Sequence, residues 1–198
     1  MKGVIALLFY SFWALASPKE ELAHRLALIN EFSAQFQQST THYDKSTVSE
    51  SKGKVHVKRP DLFRWEAMEP EKNLMISNKN TFWYYIPSVN QVSIYNTSQM
   101  LEQTPFTLLV RKQEKFLDGY LVSQKGNQFT LVPVHSDPTR RRFTISISKK
   151  GLIRSFKVVE RDGLETVFDF KKVSLRVSPP GTDFNLIIPD GVAVDDQR

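Results

Sequence analysis

The chain has 198 residues, 40% of them hydrophobic and 12% aromatic, with a formal net charge of +6 and no cysteine. That length can bury the core of one domain, while the missing cysteine excludes a disulfide scaffold, a thiol nucleophile and a cysteine-borne lipid anchor. The basic excess is scattered apart from Arg140-Arg141-Arg142; nucleic-acid recognition wants a longer basic face or a recognisable module, whereas attraction to anionic headgroups or an acidic partner surface stays open.

Lys2, the apolar run Val4 to Leu15 and the small-x-small triplet Ala14-Leu15-Ala16 read as an export leader cleaved after Ala16. The run is shorter than the roughly 20 apolar residues that span a bilayer. The expected organisation is therefore a leader at 1–16 and one soluble, exported, disulfide-free domain at 17–198, with the formal charge lowered by one when Lys2 is removed.

Ser17-Pro18-Lys19-Glu20 is a capping box with proline at the first helical position. Leu22, Leu26, Ile29, Phe32 and Phe36 follow near a 3.6 period, which predicts a helix from Pro18 to about Gln37. The polar stretch Ser39 to Ser46 ends it. From Thr47 to Pro189 the texture is β: short alternating runs are separated by turn signals at Asp118-Gly119, Gly126-Asn127, Lys150-Gly151, Asp162-Gly163 and Asp190-Gly191. Phe143, Ile145 and Ile147 alternate with polar residues, as do Phe168 and Phe170, and Phe184, Leu186 and Ile188. Without helical crossovers between them, such strands build an antiparallel sheet, sandwich or barrel.

Two strands carry more than alternation. In Lys54 to Trp65, KVHVKRPDLFRW, Val55 and Val57 face away from Lys54, His56 and Lys58. Arg59 stands at the strand's end, biased to an extended conformation by Pro60, beside Leu62, Phe63 and Trp65. A guanidinium against apolar surface costs free energy unless its N–H groups find acceptors; a carboxylate at the strand end, such as Asp61 or Glu66, is one candidate. Phe82 to Ile86, FWYYI, is apolar or aromatic on both faces, so both must be covered, by core on each side or by a helix on one side and a cavity on the other. Thr104-Pro105 then predicts a second, short helix start leading to Phe106, Leu109 and Val110. It is shorter than the roughly 12 residues an isolated helix needs to be even marginal, so it is either a packed turn or a lid.

No catalytic spacing is present: there is no Gly-x-Ser-x-Gly, phosphate-binding glycine loop or His-Glu-x-x-His. His24, His42, His56 and His135 are dispersed and do not suggest one metal site. Asp195-Asp196 reads as a surface pair rather than two carboxylates in opposed environments. A non-enzymatic protein without cofactor or metal is expected.

VKRPDLFRW, with TFWYYIPSVNQV at Thr81 to Val92, TPF at Thr104 to Phe106 and VDDQR at Val194 to Arg198, resembles the periplasmic outer-membrane lipoprotein carrier family, LolA. The resemblance implies a mainly β fold, an open and strongly curved antiparallel sheet (an incomplete barrel), with an N-terminal helix and short lid helices over a hydrophobic cavity. It implies a monomeric periplasmic carrier that binds lipoprotein acyl chains released by an inner-membrane ATP-driven complex and delivers them to an outer-membrane receptor. Arg59 would be the lid latch, and Val57, Leu62, Phe63, Trp65, Phe82, Trp83, Tyr84, Tyr85, Phe106 and Leu109 the cavity and lid, with Phe63 at the rim or facing a partner. Two other readings compete: a lipid- or peptide-sensing module on the same scaffold, since scaffolds are shared across functions, and an exported β-sandwich with fully packed inner faces.

Overall fold

The Ser17 hydroxyl accepts from the Glu20 amide while the Glu20 carboxylate accepts from the Ser17 amide, so the capping box closes as its residues demand. The computed structural model describes residues 16–103, 106–111, 114–134, 141–160, 162–176 and 183–198; residues 1–15 of the expected leader and the Thr104-Pro105 helix start lie outside these.

Helix α1 runs Pro18–Ala27 and stops there. The expected continuation to Gln37 is wrong, because Glu31–Thr41 is strand β1. Phe32 and Phe36 are four apart, an interval that fits one helical turn and two strand pleats equally well. The intervening residues decide: Ala34 is buried with both phenylalanines while Gln35 and Gln37 are exposed, a period of two. Arg25, buried beneath α1, donates to Glu21, Asn127 and the Ile147 carbonyl and lies 5.0 Å over the Phe129 ring, which seats the helix on the sheet.

After β1 come β2 (Thr47–Lys58), β3 (Leu62–Glu69), β4 (Asn73–Ser77), β5 (Thr81–Ile86) and β6 (Gln91–Asn96), then three short helices, α2 (Thr97–Gln103), α3 (Thr107–Val110) and α4 (Glu114–Leu117). Strands β7 (Tyr120–Lys125), β8 (Gln128–Pro133), β9 (Arg142–Ile147), β10 (Ile153–Val159), β11 (Glu165–Ser174) and β12 (Ala193–Asp196) complete the chain. All twelve form one open sheet in the order β12-β6-β5-β4-β3-β2-β1-β11-β10-β9-β8-β7. Every pairing is antiparallel except β12 with β6, which is parallel. The expected open antiparallel sheet with few helices is therefore the fold, and its edges, β12 and β7, do not meet.

The inner face packs against the helices. Val55, Val57, Phe63, Trp65, Phe82, Ile145, Phe156, Phe168 and Phe170 join Leu22 and Leu26 of α1 and Leu101, Leu108, Leu109, Val110 and Leu117 of the later helices in one buried cluster. Gly53 permits a close approach at the centre of this face. A Cβ there would lie 1.9 Å from the Glu66 carbonyl oxygen and 2.8 Å from the Phe36 ring, beside a bulge in the β2–β3 ladder.

The outer face has its own cover. Phe184, Leu186 and Ile188 are half-buried and alternate with exposed Asn185 and Ile187, but this stretch pairs with no strand among the described residues. It is an extended strap instead. The Asp183 carbonyl accepts from Arg64, Asn185 from Asn78, and the Phe184 ring lies 5.0 Å from His56. His56 faces outward as expected, yet it is 5% exposed, with Nε2 2.8 Å from Glu31 Oε1.

Candidate functional site

Arg59 follows the last residue of β2, in the turn to β3. Its Nη1 donates to the Leu26 and Ile29 carbonyls at 2.6 and 3.1 Å, at and just past the end of α1, where the Leu26 oxygen also accepts the Ile29 amide. Its Nε donates to the Leu109 carbonyl at 2.8 Å and its Nη2 to the Leu108 carbonyl at 3.4 Å, both in α3. One rigid fork thus joins three segments: the β2–β3 turn, the end of α1 and α3. Burial lowers its pKa to about 10, which leaves it cationic at neutral pH. The carboxylates that could have claimed it are engaged elsewhere, Asp61 with Arg111 at 3.5 Å and Glu66 with Arg64 at 3.6 Å.

The segment that Arg59 holds cannot hold itself. Helix α3 has four residues, all buried, and its N-cap, Phe106, makes no side-chain capping bond. It is supported by a hydrogen bond from the Thr107 hydroxyl to the Leu101 carbonyl of α2 and by its apolar side chains. Phe106 is driven into the aromatic floor of the sheet, with ring centroids 4.7 Å from Trp65, 5.1 Å from Phe63 and 5.4 Å from Phe168. Trp65 in turn stacks on Phe36 at 3.6 Å.

Of the residues expected to form the cavity and lid, Val57, Phe63, Trp65, Phe82, Phe106 and Leu109 meet in this buried cluster, with Tyr84 packed against it. Register places Leu62, Trp83 and Tyr85 on the opposite face, because Phe63 pairs with Ser77 and Ser77 with Phe82, while Trp83 pairs with Ile76 and Ile94. Phe63 is 1% exposed and packs against Phe106, so it lies within the buried floor and not at a rim. Sequence reasoning missed Phe36 and Phe168 as part of the floor, although Phe168 stood in an alternating run. It also missed the Leu26 and Ile29 carbonyls, since backbone oxygens carry no sequence signal.

The space under the cover is occupied by the cover's own side chains. An open cleft of about 450 Å³ lies over Gly53 and beside Phe36, lined otherwise by Gln35, Gln37, Lys52, Lys54, Met68, Glu69 and Lys171. Arginine-tied helices roofing the apolar face of a single open sheet place the molecule among curved-sheet proteins with a coverable apolar interior.

The family described as outer membrane lipoprotein carrier protein LolA matches residues 27–186. A relative from Vibrio cholerae, named outer-membrane lipoprotein carrier protein, is 45% identical over 198 residues, which is 100% of both chains. Another of that name from Vibrio parahaemolyticus is 45% identical over 98% of this chain and 93% of its own. Among solved structures, an uncharacterized conserved protein from Thermus thermophilus shares the fold at a TM-score of 0.58 and 14% identity, covering 90% of this chain and 98% of that one. The MucA/MucB complex of Pseudomonas aeruginosa gives a TM-score of 0.50 at 12% identity, covering 84% of this chain and 59% of that one. The chain belongs to the LolA family of outer membrane lipoprotein carriers, as the KRPDLFRW and VDDQR segments suggested.

Proposed function

We propose that this protein is a periplasmic carrier that takes the acyl chains of lipoproteins under the α2–α4 cover, shields them from water and gives them up at the outer membrane. The observation that carries the reading is the grip of Arg59 on α3: a helix too short to be self-supporting is tied down by bonds to two of its carbonyls. Cargo chains displace Phe106 and Leu109 from the floor of Phe63, Trp65 and Phe82. Arg59 then loses Leu108 and Leu109 and keeps Leu26 and Ile29, so the latch stays with the body of the molecule.

Magnitudes explain why a latch is needed. One acyl chain of about 15 methylenes gains about 12 kcal/mol on leaving water, at about 0.8 kcal/mol each. Two or three chains, fully buried, would exceed the ceiling of noncovalent affinity near 20 kcal/mol. A membrane is as apolar as the cavity, however, so transfer between them has a small driving force, and a closing contribution of a few kcal/mol decides its direction.

In this reading residues 1–16 are the export leader, the mature chain acts as a monomer, an inner-membrane ATP-driven complex loads it and an outer-membrane receptor unloads it. The test is extraction from inner-membrane vesicles. The mature protein should remove an acylated lipoprotein and leave behind the same polypeptide without acyl chains; equal extraction of both, or of neither, ends the proposal.

A further inference from the structure

Arg59 is matched by a side chain that crosses the same gap in the opposite direction. Arg111, the C-cap of α3, places its Nε 3.5 Å from Asp61 Oδ1 in the β2–β3 turn. Its Nη2 donates to the Ser98 carbonyl of α2 at 3.2 Å and its backbone amide to the Thr107 carbonyl at 3.0 Å, so it is bound into the cover. Asp61 is equally well fixed to the sheet. The Ser77 hydroxyl, fully buried, donates to its carbonyl at 2.9 Å, and its backbone sits at φ 63°, a left-handed conformation that aspartate and asparagine accept with little strain. A rigid turn therefore presents a carboxylate to a segment that rests on it.

Asp61 Oδ1 is buried without a hydrogen bond, and the Arg111 charge is what compensates it. We propose that Asp61 and Arg111 are a second latch on the cover, built from opposite charges where the first is built from a charge and neutral carbonyls. This rests on the reading of α3 as part of a moving cover. The two latches differ in what loosens them. Both Asp61 and Arg111 keep more than a quarter of their side chains in solvent, so dissolved ions weaken their attraction. The carbonyl bonds of Arg59 are short-ranged and respond little to ionic strength. Asp61 and Arg111 are thus positioning residues that make opening sensitive to salt.

Hydrogen exchange at the amides of 107–111 in the full mature chain reads the cover directly, at about 20 mM and about 500 mM NaCl, either side of the range where the screening length falls below 10 Å. In the unaltered protein these amides should exchange about threefold faster in the higher salt, the size expected for a partly exposed pair. Asp61→Asn keeps the shape and the left-handed backbone and should exchange fast in both salts. Arg111→Gln should match it, the double variant should go no further, and Arg111→Lys should restore part of the salt response. Arg59→Leu should raise exchange at both salts and keep the difference between them. Urea midpoints separate these local effects from global loss of stability. Exchange in Asp61→Asn equal to that of the unaltered protein at low salt, or an undiminished salt response in that variant, overturns the proposal. Uptake of a fluorescent long-chain fatty acid, followed in parallel, tests the carrier reading separately: the exchange pattern with no uptake by any variant would leave the latch standing and remove the cargo.

Discussion

The Arg59 Nε and the Leu109 carbonyl oxygen, 2.8 Å apart, connect the sheet to a four-residue helix whose N-cap makes no side-chain capping bond. Replacing Arg59 by leucine removes the fork while keeping an aliphatic side chain in the turn. Charge-assisted hydrogen bonds contribute about 1.5–3 kcal/mol each, and two of them reach α3. The empty, closed form should lose about 2–4 kcal/mol relative to the open form, while the loaded form loses little. Release of a bound lipoprotein to an acceptor membrane should then slow by about tenfold or more, at 1.4 kcal/mol per tenfold, with the far-ultraviolet circular dichroism unchanged. Unchanged release in Arg59→Leu would show that the four carbonyl contacts are structural only.

Trp65 and Trp83 test which face of the sheet meets acyl chains. Trp65 belongs to the buried inner cluster, and Trp83 lies on the outer face opposite Ile76 and Ile94. In a chain begun at Ser17, and so without Trp13, these are the two tryptophans. A brominated fatty acid quenches only rings it touches. Its binding should quench Trp65 strongly in Trp83→Phe and leave Trp83 nearly unaffected in Trp65→Phe. The opposite pattern would move the cavity to the other face.

These two faces also show where the sequence was legible. Alternation assigned Phe143, Ile145 and Ile147 to one face, and KRPDLFRW placed the arginine beside the aromatic residues of the floor. FWYYI was apolar at every position, and no pattern internal to it could say which parity faced the helices. Register against Ser77 and Ile94 settled that, through pairing across the sheet. The same limit misled the reading of Phe32 and Phe36 as helical, since their spacing satisfies both periods and only pairing with β2 and β11 makes a strand of them. The acceptors of Arg59 were invisible for a simpler reason: carbonyls at the end of α1 become available only where that helix stops.

Gly53 should be intolerant of even one methyl group. Alanine there would bring Cβ to 1.9 Å from the Glu66 carbonyl and 2.8 Å from Phe36, in the middle of two ladders where the backbone has little room to yield. Overpacking of this kind costs about 1–3 kcal/mol, and more when backbone must shift. For a domain of this size about 2–4 °C of melting temperature is lost per kcal/mol, so Gly53→Ala should lower it by roughly 5–10 °C. A thermal melt within about 1 °C of the unaltered protein would mean that β2 and β3 are not so close at this point.

Phe106 fills the space proposed for the acyl chains, which gives its replacement two opposite effects. Its ring fills the space between Phe63, Trp65 and Phe168, and removing it from a packed site costs about 3–5 kcal/mol. Because Phe106 adjoins a four-residue helix tied by its neighbours' carbonyls, much of that loss should appear as local opening of the cover and less as global unfolding. An acyl chain would no longer have to displace the ring, and the closed empty form that competes with binding would be weaker. Phe106→Ala should therefore bind a long-chain fatty acid about tenfold or more tightly while losing protection of the amides at 107–110. Titration with a fluorescent fatty acid decides the matter: weaker binding would mean that Phe106 is part of the wall that holds cargo and that the chains lie elsewhere on the floor.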